Sequence, residues 1–120
     1  MFSLERPDFE YFFRAASGRS CLLGNRELFQ SFLVTPSQLI ETWAPSNPLS
    51  NADLDAALAL EPEVIILGTG DTQVFPPAAV MAHCLSRRVG LEVMNNASAA
   101  RTFNILAGEG RKVAAALLVG

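Results

Sequence analysis

Three short apolar runs in the second half of the chain, VIIL at 64–67, LEVM at 91–94 and VAAALLV at 113–119, are separated by two segments of helical length. The first run has no polar residue, which suits a strand covered on both faces. Pro76-Pro77 starts a helix after it, because proline tolerates the first turn. Val80, Met81, Cys84, Leu85 and Arg88 mark the inner side of that helix, and Gly90 ends it. Asn95 or Asn96 caps a second helix over residues 97–107, closed by Gly108 and Gly110. Strands alternating with helices imply an α/β fold built on a largely parallel sheet.

The first half has a different texture. Short runs rich in Phe, Leu and Val are broken by turn residues at Ser17-Gly18, Gly24-Asn25 and Pro36-Ser37. This predicts strands at 9–15, 20–23, 27–35 and 38–43, joined as an antiparallel meander. Residues 44–51, with Pro45 and Pro48, read as a loop. Asn51 is the expected cap of a helix over 52–60, with Leu54, Ala57 and Leu58 on one face and Pro62 as its stop. The 120 residues fit one domain, 1–120, long enough to bury a core without a disulfide or metal staple.

Composition narrows the function classes. The net charge is −3 and there is one lysine, so no basic face for nucleic acid is expected. No apolar run reaches the roughly 18 residues of a membrane span. The opening MFSLERPDFEYFF does not read as a signal peptide. Cys21 and Cys84 match no zinc or redox spacing, so two free thiols in the cytoplasm are expected. With one histidine and two distant cysteines, no metal site and no cofactor are expected.

Two segments could carry chemistry. Gly68-Thr69-Gly70-Asp71 follows a parallel strand at its carboxyl end, where α/β proteins bind ligands. A dinucleotide fingerprint would need a glycine at position 73, which is Gln, and no Gly-Lys-Ser or Gly-Lys-Thr follows. The loop therefore reads either as a structural turn capped by Asp71 or as a small ligand or partner site. The second segment is Arg101-Thr102-Phe103-Asn104. Phe103, Leu106 and Ala107 face the sheet, Arg101 and Asn104 share an outer edge, and Thr102 falls on another. It reads either as a packed helix or as the far wall of a pocket closed by the Gly68 loop. Nucleophilic catalysis is poorly served: His83 and Cys84 are adjacent on a helix and point apart, and no Gly-x-Ser-x-Gly elbow exists. Asp71 with Glu109 could form a carboxylate pair, which the sequence does not place together.

Taken together, the Leu67–Asp71 loop, Glu92-Val93-Met94, Arg101-Thr102-Phe103-Asn104, Glu109 and Arg111 resemble the Mth938-like family, a domain of unknown function. Leu33-Val34-Thr35-Pro36 and Trp43 extend the likeness through most of the chain. The family includes proteins of the mitochondrial complex I assembly factor 3 type and the adipogenesis-associated Mth938-domain protein. The resemblance implies three layers: a central mixed, mostly parallel sheet, flanking helices and an added antiparallel β layer from the N-terminal half. It implies no catalytic residues. The expectation is a bacterial cytoplasmic protein that is not an enzyme and binds a protein partner, as an assembly factor for a respiratory or other membrane complex. Gly68, Thr69, Gly70, Asp71, Arg101, Thr102 and Asn104 are the candidate site. Two rivals stand: a small-molecule-binding domain or small enzyme using the same cleft, with Asp71 as acid or base and Arg101 as anion clamp, and a homo-oligomeric structural protein.

Overall fold

A computed structural model describes residues 9–120; residues 1–8, where the signal-peptide reading begins, lie outside the described residues. In chain order the elements are β1 (Phe13–Ala16), β2 (Cys21–Leu23), β3 (Arg26–Leu28), β4 (Phe32–Thr35), β5 (Gln38–Ile40), α1 (Asn51–Leu58), β6 (Val64–Gly68), α2 (Ala78–Ser86), β7 (Gly90–Met94), α3 (Asn96–Gly108) and β8 (Val113–Leu117).

The central sheet has the order β5-β4-β8-β6-β7. β6 runs parallel to both β7 and β8, while β4 is antiparallel to β8 and to β5. The period of two along each strand sorts the core into two halves. Leu33, Ile65, Leu67, Ala114 and Ala116 point to the side covered by α1 and α2. Phe32, Val34, Ile66, Val113, Ala115 and Leu117 point to the other side, covered by α3 and the small sheet β1-β2-β3. The alanines of β8 let neighbours approach its middle closely. On the α3 side the space is filled by Phe103, which meets Phe13 edge-on at 5.4 Å and Phe9 at 6.3 Å.

The three layers expected from the sequence are present, and in the α/β half the elements match to within a residue or two except at the end of α2, which stops at Ser86, so that Gly90 opens β7 and Arg88, exposed and with φ +62, lies beyond the helix and not on its inner side. The N-terminal half differs. The single strand expected at 27–35 is two strands in different sheets, broken at Phe29–Ser31. The four-strand meander therefore splits, with β1-β2-β3 forming the extra layer and β4-β5 joining the central sheet. Leu85 is 72% exposed, not inward, because it sits one residue off the Val80–Cys84 stripe, about 100° around the helix.

The cap of α1 is Ser50, one residue earlier than expected. Its backbone is extended, its Oγ accepts from Asp53 N–H at 3.4 Å, and the Asp53 carboxylate accepts from Ser50 N–H at 2.8 Å. Ser46 adds its N–H at 3.1 Å and its hydroxyl at 2.6 Å to the same carboxylate, which ties the 45–49 loop to the helix. Partial burial works to raise the Asp53 pKa, but the Ser46 and Ser50 hydrogen bonds outweigh it and hold the carboxyl below its ordinary range. A carboxyl depressed in the folded state contributes stability that is present above its unfolded value and lost as pH falls through the folded one. Asp53→Asn should therefore lower stability at pH 7 by about 1 kcal/mol, the scale of a lost cap. That gap should shrink as pH falls below about 4, the ordinary aspartate range. Thermal melts of both proteins from pH 7 to pH 2.5 check this, and a gap independent of pH would refute the assignment.

Candidate functional site

The loop after β6 is built around a missing side chain. A Cβ on Gly68 would stand 2.4 Å from Asn96 Oδ1, 2.5 Å from Leu117 Cδ1 and 3.2 Å from the Ala99 side chain. Only glycine leaves Asn96 its place. Asn96, at the start of α3, is fully buried and is the one buried polar side chain among the described residues. Its amide is satisfied on both ends. Oδ1 accepts from Gly70 N–H at 3.0 Å, and Nδ2 donates to the carbonyls of Ser17 at 2.8 Å and Leu118 at 2.9 Å. Its backbone N–H also donates to the Gly70 carbonyl at 2.8 Å. One side chain thus joins the β6 loop, the β1–β2 turn and the end of β8. Asn95 takes the capping role beside it, its side chain accepting from Ser98 N–H at 2.8 Å.

The outer part of the loop is held as firmly. Gly70 has φ +99, a conformation that favours glycine. The Thr69 hydroxyl donates to the Thr72 carbonyl at 2.7 Å and accepts from Val74 N–H at 2.9 Å. Asp71 Oδ1 accepts from Gly18 N–H at 2.7 Å, and a Cβ on Gly18 would lie 2.9 Å from both Cγ and Oδ2 of that carboxylate. Gln73, the residue that departs from the dinucleotide fingerprint, donates from Nε2 to the Val93 carbonyl at 2.8 Å, on edge strand β7.

Outside this loop lies a cleft of about 590 Å³ at the carboxyl ends of β6 and β8. Its walls are Gly18, Ser31, the 45–49 loop, Thr69 to Asp71, Val74 to Pro77 and, beyond β8, Leu118 to Gly120. Among the described residues, Asp71 has the only charged side chain that lines it. Val74 and Phe75 are 58% and 63% exposed, although both are large and apolar.

Of the candidate residues, Thr69, Gly70 and Asp71 line the cleft and Gly68 lies beneath it, while Arg101, Thr102 and Asn104 do not line it. Asn104 grips β1, with Nδ2 donating to the Phe13 carbonyl at 2.8 Å and Oδ1 accepting Phe13 N–H at 2.9 Å. The Thr102 hydroxyl donates to Met94 Sδ at 3.4 Å. Arg101 is exposed and donates to Ser98 Oγ at 3.2 Å. The reason is length: α3 starts at the cleft and runs away from it, and at 1.5 Å per residue Asn104 lies about 12 Å farther along the axis than Asn96. Glu109 caps the far end of α3, so it forms no carboxylate pair with Asp71. Asn96 is the helix residue that meets the loop, and sequence reasoning used it only as an alternative cap. The signal was the Asn95-Asn96 doublet, since one side chain suffices for the cap.

Other reactive groups are turned elsewhere. His83 Nε2 lies 2.6 Å from Asp55 Oδ1, bridging α2 to α1. Burial pushes the Cys21 thiol up to about 11, partly offset by a hydrogen bond from the Ser17 backbone. Burial and the Asp55 charge also raise Cys84. Both cysteines are free and buried, and their thiolate populations at neutral pH are small. Among the described residues no group of three His, Cys, Asp or Glu side chains could hold a metal ion, and no helix is long and apolar enough to cross a membrane.

Residues 13–118 match the profile of a family described as protein of unknown function (DUF498/DUF598). The chain resembles the solution structure of a Xanthomonas campestris protein, with 50% identity and a TM-score of 0.85 over 99% of this chain and 93% of that one. An Mth938-like domain from Bordetella pertussis shares the fold at a TM-score of 0.80 and 21% identity, covering 99% of this chain and 92% of that one. A Francisella tularensis protein called a 13 kDa major membrane protein is 30% identical over 70 residues, which span 58% of this chain and 57% of that one. The chain thus aligns with little more than half the length of that relative.

Proposed function

We propose a binding role for this chain, which belongs to the DUF498/DUF598 family of proteins of unknown function and has the Mth938-like fold. The proposed role is non-catalytic: the chain engages another protein through the cleft above Gly70 and its apolar lip. The observation that carries this reading is the exposure of Val74 and Phe75 on a loop that the rest of the fold holds in place. Large apolar side chains kept in water beside a cleft favour a binding surface, and a loop fixed in advance has less entropy to lose on docking. The titratable lining favours binding over catalysis, since among the described residues Asp71 lines the cleft without a second acidic or basic side chain. The two free, buried thiols favour a reducing compartment, which we take to be the cytoplasm.

An assembly role at a membrane complex is the finer form of the proposal. It draws support from the membrane-protein name of the Francisella relative, and this chain would reach the membrane through its partner.

Affinity capture from the native host tests the reading. A defined protein should be recovered with wild type, lost with Phe75→Ser and retained with Ile105→Ser, whose target is 61% exposed on α3. Recovery unaffected by Phe75→Ser would contradict the proposal.

A further inference from the structure

We propose that the cleft receives a lysine or arginine side chain of the partner protein, with an adjoining apolar residue laid on Val74 and Phe75; this rests on the protein-binding reading above. Among the described side chains that line the cleft, one is charged, the Asp71 carboxylate. Ion pairs among the described residues occupy Glu41, Asp55 and Glu63, and none within 4.0 Å engages Asp71. One carboxylate oxygen is committed to Gly18 N–H at 2.7 Å, which fixes the group's direction. The other has no hydrogen-bond partner among the described residues and is available to a cation. A carboxylate oriented before binding forms a charge-assisted hydrogen bond at low ordering cost.

The remaining lining suits the rest of such a side chain. Leu49, Val74, Phe75 and Pro76 offer apolar contact for an aliphatic stem, which lysine and arginine lay along apolar surface while the charged head reaches a polar group. An exposed Phe75 ring can add a cation–π contact. Among the described residues no lysine or arginine lines the cleft, so an anionic occupant would be repelled by Asp71 with no cation there to offset it. Arg101, the anion clamp of the small-enzyme alternative, is on α3 outside this lining.

The test uses the full chain, isotope-labelled, titrated with acetyl-Leu-Arg-Leu-amide and separately with acetyl-Leu-Glu-Leu-amide. The arginine peptide should shift the amide signals of Gly18, Gly70, Asp71 and Phe75, with an affinity that falls as salt is raised. Asp71→Asn keeps an acceptor for Gly18 N–H, so the loop should stay folded, with undisturbed signals at Thr69 and Val74. Its affinity for the arginine peptide should drop about tenfold or more, the scale of one hydrogen bond to a charged group. The glutamate peptide should shift none of these signals. An equal response to both peptides, no response to the arginine peptide, or an Asp71→Asn variant that binds as well as wild type would each overturn the inference. Partner capture separates the two levels. If Phe75→Ser abolishes capture while Asp71→Asn leaves it intact, the cationic side chain is wrong and the protein-binding role stands.

Discussion

Asn96→Ala should destabilise the protein by about 4 kcal/mol, because it removes the partner of three part-buried backbone groups, at about 1–3 kcal/mol each, and empties a buried site. The side chain is wholly inaccessible and serves Gly70 N–H, the Ser17 carbonyl and the Leu118 carbonyl together. No neighbouring polar side chain is buried beside it to take over, since Asn96 is the one buried polar residue among the described residues. Domains of this size have about 5–15 kcal/mol in all, so the variant should sit near the limit of stable folding. Urea unfolding of wild type and variant measures the difference. A loss below about 1 kcal/mol, the scale of a single ordinary hydrogen bond, would show that the amide does not hold the loop.

Gly68→Val should be at least as damaging, by about 4 kcal/mol or more, since overpacking alone costs about 1–3 kcal/mol and displacing Asn96 adds the orphaned groups. The clash is with the polar end of a fixed amide and with Leu117, both buried, so neither can swing out into water. The two sites are coupled through one contact, which a double-mutant cycle exposes. Gly68→Ala should cost less in the Asn96→Ala background than in wild type, because the 2.4 Å conflict with Asn96 Oδ1 is then gone. Strict additivity would mean that the two residues do not share the space attributed to them.

The sequence carried the α/β half of the fold well because its signals are local. Continuous apolar runs, Pro76-Pro77 and the paired glycines after α3 each specify an element without reference to its neighbours. The break between β3 and β4 was not legible for the opposite reason. Phe29 is apolar yet exposed, so it extends the hydrophobic pattern across a point where the chain changes sheets. Leu85 misled in the same way. At the site, the Gly68–Asp71 loop was legible from its place after a parallel strand. Its partner was not, because Arg101-Thr102-Phe103-Asn104 stands out as a motif while the contact belongs to Asn96, upstream on the same helix. A helix carries residues a few positions apart to different heights on the sheet, and a one-dimensional pattern does not say which end of the helix touches the loop. Gly18, which a side chain would drive into Asp71, read only as a turn residue.

These observations divide the loop into two faces. The inner face is locked by Gly68 and Asn96, and the outer face presents Asp71, Val74 and Phe75 to the cleft. We propose that a partner protein docks on the outer face. Site-specific photo-crosslinking in living cells tests it most directly, with a photoreactive residue placed at position 75, at position 74, or at the equally exposed position 105 on α3. One and the same crosslinked polypeptide is expected from positions 74 and 75 and none from 105. Crosslinks from 105 with none from 74 or 75 would contradict it.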